Sequence, residues 1–306
     1  MRVVTGRAAI LLAACTAMAT TSEASKPRLI IDADTGNEID DLFAIVRMLN
    51  QDRFEVVGLT SAQWRHYLGP VNSVAVSQQD NEDLLELLGR ENLPHPIGSE
   101  QPFGKPWGGT QPQDSPAARF IIEQAKATPA GRKLIVVCTG ASTNLASAIK
   151  LAPEIAPRIK AYIIGFHCDP ESGVWNKSEF NVRRDLDAAD FLLNQADLEL
   201  CVMPANVSKA VVFARDETFA RQEQMGPLGA HLTAKWLRKF PEHETWIMWD
   251  LALVEALLSP DLATTRRVST PPENTQREVL VYDSIDASAM MEKYWAVVAD
   301  GYTSKP

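Results

Sequence analysis

Cysteine is scarce in this chain, with four in 306 residues. Cys15 falls in an N-terminal apolar run, which leaves Cys138, Cys168 and Cys201, an odd number with no Cys-x-x-Cys or His-x-x-x-His spacing around them. No disulfide framework and no zinc site can be built from that set. Cys138 and Cys201 stand within apolar runs and read as small core residues. Positive charge is also in deficit: 30 Lys plus Arg oppose 39 Asp plus Glu, for a formal net charge of -9. Nucleic acid and anionic membranes demand a basic face that neutralises phosphates, so neither is an expected partner. Long apolar runs are missing beyond the N-terminus, as are internal repeats and any composition that marks a flexible interdomain linker.

What remains is the composition of an ordinary globular protein, 45% hydrophobic and 23% charged, long enough to bury a sizeable core. Residues 1–25, "MRVVTGRAAILLAACTAMATTSEAS", place Arg2 and Arg7 ahead of an apolar run and then small and polar residues. This is the pattern of a secretory signal, too short for a permanent transmembrane helix. Two processing readings compete: "AMA" at 17–19 has the small-x-small form of a signal-peptidase site, and "LAAC" resembles a bacterial lipobox that would lipidate Cys15. The expectation is an exported protein, periplasmic or secreted, with residues 26–306 as one domain; a homo-oligomer is left open.

Short unbroken apolar runs recur, each followed by a turn and a segment of helical period. They are "RLIID", "FEVVGLT", "KLIVVCTG", "IKAYIIGF" and "LELCVMP". Runs of this kind fit strands covered on both faces, with helices at 42–49, 71–88, 117–127, 143–151 and 188–195 as the cover. The fold class is therefore α/β, a mainly parallel central sheet with helices on both faces, of the open Rossmann-like kind. Two further helical stretches, "PLGAHLTAKWLRKF" and "WIMWDLALVEALLSP", and a late strand, "REVLVYDSI", follow. The Pro- and Gly-rich segment 94–116 reads as a long loop, either a lid or a surface excursion. Ligands of such sheets sit beyond the carboxyl ends of the strands, where the polar residues of this chain are concentrated.

The densest concentration is "DADTGNEIDD", residues 32–41. Asp40 and Asp41 stand at the start of a helix, where a negative charge gains about 0.3 to 1 kcal/mol. Capping does not account for Asp32 and Asp34, which leave the first strand two residues apart and so point the same way. Carboxylates converging from a strand end and a helix start make a hard-oxygen cage suited to calcium or magnesium. The Asp-x-Asp-x-Thr/Val motif of haloacid dehalogenase-type phosphatases does not fit, because Gly36 stands at its last position.

Asp-x-Asp-x-Gly, a short loop and Asp-Asp before a helix resemble the N-terminal signature of the inosine-uridine nucleoside hydrolases, which cleave the N-glycosidic bond of ribonucleosides with a bound calcium ion. The resemblance continues in order through "GLTSAQW", "VVCTGASTNLASAI", "SEFNVRRDLDAADFLL" and "WDLALVEAL", and covers roughly residues 28–260. It implies that Asp34, Asp41, the backbone carbonyl of Thr139 and Asp250 hold calcium, with Asp34 as general base toward the attacking water. It further implies that Asp40, Glu179 and Asn181 bind the ribose, with Asn176 as an additional candidate, and that Asp32 orients the loop. The chemistry asks for these residue types: an oxocarbenium-like sugar is stabilised by nearby carboxylates, and a base must take the water's proton.

Two features depart from the family pattern. The turn "TGNEID" is two residues longer than usual, which puts Glu38 in competition with Asp40. The position before the late aspartate, where many members carry a His acid, is Trp249. With Trp64 as a second face, Trp249 would sandwich a purine and ease its protonation by stacking; the plainer reading makes Trp246 and Trp249 core aromatics on one helical face. His167 and His66 are alternative acids, and the pair Arg183 and Arg184 reads as a solvated or ion-paired turn. The expected function is calcium-dependent hydrolysis of a ribonucleoside, purine before pyrimidine, in purine salvage. An N-glycosidase acting on another sugar conjugate and a non-catalytic periplasmic binding protein are the rivals.

Overall fold

The computed structural model describes residues 25–105, 108–169 and 171–303. The signal-like stretch with its two processing readings thus lies, but for Ser25, outside the described residues. The chain runs through β1 (Arg28–Ala33), α1 (Asp40–Leu49), β2 (Glu55–Ser61), α2 (Ser73–Leu87), α3 (Pro116–Ala127), β3 (Leu134–Cys138), α4 (Thr143–Leu151) and β4 (Ile159–Ile164). A small hairpin, β5 (His167–Asp169) and β6 (Val174–Asn176), leads to α5 (Phe180–Arg184), α6 (Leu186–Leu193) and β7 (Glu199–Met203). Then come α7 (Ala205–Ser208), β8 (Val212–Ala214), α8 (Arg215–Gln222), α9 (Gly226–Lys239), β9 (Thr245–Ile247), α10 (Trp249–Leu258), β10 (Ala263–Ser269), β11 (Glu278–Ile285) and α11 (Ala287–Thr303).

Seven strands form the central sheet in the order β10-β11-β7-β4-β3-β1-β2. Every neighbouring pair is parallel except β10 with β11. The period of two decides the core: Leu29 and Ile31 of β1 join one buried cluster and Ile30 joins the other, on the opposite face. Cys138 and Cys201 are buried in these clusters, as small core residues should be. Helices α1 and α10 cover one face through Leu42, Phe43, Leu251 and Val254. Helices α3, α4 and α6 cover the other through Ile121, Leu145 and Leu192.

The five apolar runs and the helices between them form where the sequence puts them, with ends displaced by a few residues. Two expectations change. Residues 246–248 do not begin a helix: Trp246 pairs with Phe213 in the β8–β9 ladder, and α10 starts only at Trp249. Trp246 and Trp249 therefore share no helical face, and their rings meet edge to face at 6.5 Å. The loop 94–116 is tied to the body: Phe103 is fully buried, and its amide donates to Asp185 Oδ2 at 2.7 Å.

Strand order places the site. From β1 the chain crosses to β2 on one side, and β3 then returns to the other side of β1. At such a reversal the loops after the two strands diverge and open a crevice beyond their carboxyl ends. The loops in question carry Asp34 and Thr139.

Candidate active site

A cavity of about 430 Å³ opens at this crevice, within the range that takes a small ligand. Its floor carries Asp34, Asp40, Asp41 and Asp250, all nearly inaccessible to solvent, with the half-buried Glu38 beside them. Thr139, His167, Glu179, Asn181 and Trp249 line its walls.

Each acid is set by a local feature. Asp34 follows β1 directly, and the Asn37 amide donates to its carbonyl at 2.8 Å, which turns the chain toward α1. Gly36 is needed in that turn because a Cβ there would meet Val76 Cγ1 at 2.8 Å and the Ser77 amide nitrogen at 2.9 Å. Asp40 and Asp41 form the first turn of α1. Thr139 Oγ1 donates to Asp41 Oδ1 at 2.7 Å, and Asn181 Nδ2 donates to the Thr139 carbonyl at 2.7 Å, leaving that carbonyl a second lone pair. Asp250 opens α10, and its amide donates to Asp40 Oδ2 at 3.2 Å. Glu179 caps α5 by accepting from the Val182 amide at 3.0 Å. Asp32 stays outside the cavity lining, buried, with Oδ1 accepting from Thr60 Oγ1 at 2.7 Å and Asn144 Nδ2 at 2.8 Å.

The crowding shows in the protonation of the floor. Burial first, then the charges of Asp41, Asp40 and Glu38, push the Asp34 carboxyl well above the usual carboxylate range. Burial and the neighbouring Asp40 raise Asp41 to about 7, and burial with Asp40 and Asp41 raises Glu38 to about 8. Asp250 is raised by burial and by the same neighbours. The half-buried Lys239 at the end of α9 braces the loop, donating to the carbonyls of Gly36 at 2.5 Å and Glu38 at 3.2 Å. Nothing near the aspartates in the chain points to Lys239, because it arrives from a helix about two hundred residues downstream.

This floor fits a hard divalent cation. One carboxylate oxygen from each of Asp40, Asp41 and Asp250 can be chosen so that all three lie within 4.8 Å of one another. Asp34 lies alongside, its carboxyl raised by burial and by the charge of Asp41, with its Oδ2 buried and without a partner. An all-oxygen donor set without His or Cys suits calcium or magnesium. The compact trio contains Asp40 where the sequence reading put Asp34, so Asp40 belongs to the carboxylate cluster as closely as the acids assigned to the metal.

Three sequence candidates fall outside the cavity. Trp64 is turned onto its own loop, its indole Cζ3 only 2.8 Å from where a Cβ of Gly69 would stand, so it cannot be the second face of a sandwich here. Asn176 is exposed on β6, opposite His167 in the ladder, and its Oδ1 accepts from the Ser178 amide at 2.8 Å. His66 packs its ring on Tyr67. His167 does reach the wall, since the positive φ of 63° at Phe166 swings the chain out of β4 into the hairpin.

Residues given no part in the site by sequence reasoning also line the cavity: Asn37, Ser178, Phe180, Asn206, Lys209 and Ile247, together with Arg183, which the sequence places in a solvated or ion-paired turn. Arg183 and Arg184 are not equivalent members of one solvated turn. Arg184 donates to the Arg65 carbonyl at 3.0 Å and lies over the Phe180 ring, whereas Arg183 faces the cavity. Helical spacing within "EFNVR" was the available signal, because 179, 180 and 183 share a face.

The chain resembles known proteins over most of its length. The family model described as inosine-uridine preferring nucleoside hydrolase matches residues 29–295. The chain is 28% identical over 229 residues to a probable uridine nucleosidase 2 of Arabidopsis thaliana, covering 68% of each chain. It is 23% identical over 217 residues to the pyrimidine-specific ribonucleoside hydrolase RihB of Escherichia coli, covering 67% of each. Among solved structures, a purine-preferring ribonucleoside hydrolase from Gardnerella vaginalis superposes with a TM-score of 0.68 at 20% identity, over 91% of this chain and all of that one.

Proposed function

The chain belongs to the inosine-uridine preferring nucleoside hydrolase family, metal-dependent enzymes that hydrolyse the N-glycosyl bond of ribonucleosides, and from that premise we propose that it cleaves a purine ribonucleoside with Asp34 as general base and calcium as its metal. The observation that carries this reading is the meeting of Asp34, Asp41, Asp250 and Thr139 in the same cavity as Glu179 and Asn181. Asp34, Asp41, Asp250 and the Thr139 carbonyl are the residues that would hold the cation. When bound, the cation supplies positive charge that offsets the crowded carboxylates, positions the ribose diol and favours ionisation of the attacking water.

The remaining work belongs to the chain's own side chains. The unpartnered Oδ2 of Asp34 accepts the water's proton. Asp40, Glu179 and Asn181 hydrogen-bond the ribose, Asn181 from a side chain already oriented by the Thr139 carbonyl. Positive charge that develops on the sugar as the C–N bond lengthens is stabilised by the carboxylate floor. Trp249 and Ile247 give the base an apolar wall, and His167 stands on the opposite hairpin as the candidate acid for the departing base. With Trp64 turned away, Trp249 and Phe180 are the Trp and Phe side chains of the cavity lining, and stacking is assigned to Trp249. The relatives are named for pyrimidine and for purine nucleosides alike, and Trp249 is what favours the purine in this reading. We extend the reading to export through residues 1–25.

The test is ribose release from inosine and from uridine, with chelator and with calcium or magnesium restored. Calcium-dependent release that is faster from inosine and lost in Asp34→Asn supports the proposal. Turnover indifferent to chelator, or full activity in Asp34→Asn, overturns it.

A further inference from the structure

Two cations of the cavity have no role in the hydrolysis just described. Arg183 and Lys209 line the same cavity as the acidic floor, but both are exposed where the floor acids are buried, so charge changes sign from the bottom of the cavity to its mouth. Two short helices bring them there in the same way. Arg183 lies three and four residues past Phe180 and Glu179 on α5, and Lys209 lies three and four past Asn206 and Ala205 at the end of α7. Residues so spaced share a helix face, and all six line the cavity. Asn206 fixes the second wall by a reciprocal pair of hydrogen bonds with the Cys168 backbone, both 2.9 Å.

Among the described residues neither cation's side chain has a hydrogen bond or an ion pair, in a chain with more carboxylates than cations. Arg47, Lys177 and Lys235, by contrast, are paired. Glu179, one turn before Arg183, directs its carboxylate to the Val182 amide instead. A neutral nucleoside offers such a pair uncharged acceptors but no negative charge.

We propose that Arg183 and Lys209 form an anion subsite at the cavity mouth, and that the preferred substrate is a ribonucleoside carrying an anionic group, a phosphate on the sugar or a carboxylate on the base. The inference rests on the hydrolase reading above. A guanidinium fork and an ammonium together suit either group, through charge-assisted hydrogen bonds. The floor repels the anion while the mouth attracts it, so the field of the cavity orients the substrate with its charge outward and its neutral ribose inward.

The experiment uses the calcium-loaded full chain and pairs each neutral substrate with an anionic partner: inosine with inosine 5'-monophosphate, and uridine with orotidine. Binding of ribose and ribose 5-phosphate is measured by calorimetry in parallel. The expected result is a kcat/KM at least about tenfold higher for one anionic partner, a gap that narrows at high salt and collapses in the Arg183→Met/Lys209→Met double variant, while Arg183→Lys keeps part of it. A preference for the monophosphate, with tighter binding of ribose 5-phosphate, places the anion on the sugar; a preference for orotidine places it on the base. If inosine is hydrolysed but no anionic partner is favoured, or if the gap survives in the double variant, the subsite is overturned and the hydrolase reading stands. If no substrate is cleaved and ribose does not bind, both fall together.

Discussion

Gly140 lies so close to Asp34 that a Cβ on it would meet Asp34 Cβ at 2.7 Å and Cγ at 2.8 Å. The residue after a proposed metal ligand thus sets the position of the proposed base, through the absence of a side chain. Gly140→Ala should push the Asp34 carboxyl aside and lower kcat roughly 100-fold, because misplacement of a reacting group by about 1 Å costs that much. The fold should survive, since the nearest atoms all belong to the Asp34 side chain, which borders the cavity. Steady-state kinetics beside circular dichroism check this; a fully active Gly140→Ala protein would show that Asp34 need not be held there.

The raised carboxyls of the floor predict a pH-dependent response to metal removal. Asp41 at about 7 and Glu38 at about 8 hold their protons more tightly when folded than unfolded, where carboxyls titrate near 4. Their contribution to metal-free stability is therefore fully present below the unfolded value and is lost as pH rises to about 8. The cation binds the ionised forms, so its stabilisation grows over the same window. Thermal melts in chelator should fall from pH 5 to pH 8, and the gap to calcium-loaded protein should widen. A gap constant across that range would be inconsistent with titration of the site.

Arg47 and Glu255 join α1 to α10 through a buried ion pair of 2.5 Å, with side chains 4% and 0% exposed. Burial raises the Glu255 carboxyl in spite of the guanidinium beside it, so desolvation outweighs the attraction. Removing one partner leaves the other charge buried alone: Glu255→Leu should destabilise by about 3 to 5 kcal/mol, and Arg47→Met/Glu255→Leu should recover most of that loss. Urea denaturation of the three proteins decides the matter, and a double variant no better than the single one would contradict it.

Trp249 is the aromatic wall proposed for the base, Trp64 facing its own loop. Trp249→Ala should lower kcat/KM for inosine about tenfold or more and for uridine less, since a stacked aromatic contact gives about 0.5 to 1.5 kcal/mol beyond buried area and a purine offers the larger face. Equal losses on the two substrates would remove the argument for purine preference.

Much of this was legible along the chain. Period-two spacing did not carry past the end of β1 at Ala33, so Asp34 turns into the cavity while Asp32 bonds Thr60 and Asn144 outside it. Unbroken apolar runs, however, announced strands buried on both faces, and the charged first turn of α1 placed Asp40 and Asp41. Such features depend on bonds and neighbours within a few residues, which the sequence states directly. It also carried the ordered segments that identify the family.

Other relationships existed only once the chain was folded. The order β2-β1-β3 brought the Asp34 and Thr139 loops to one crevice, and the start of α10 brought Asp250 to Asp40. The same folding removed Trp64 and Asn176 from the cavity, because the direction of a side chain in a loop follows the path of the loop rather than its composition. It delivered Lys239 beneath the acidic turn, and Arg183 and Lys209 to the mouth, from elements with no sequence relation to the aspartates. Spacing fixes direction within a strand or helix; which elements meet, and so which charges face each other, is decided by packing of the whole sheet and its helices.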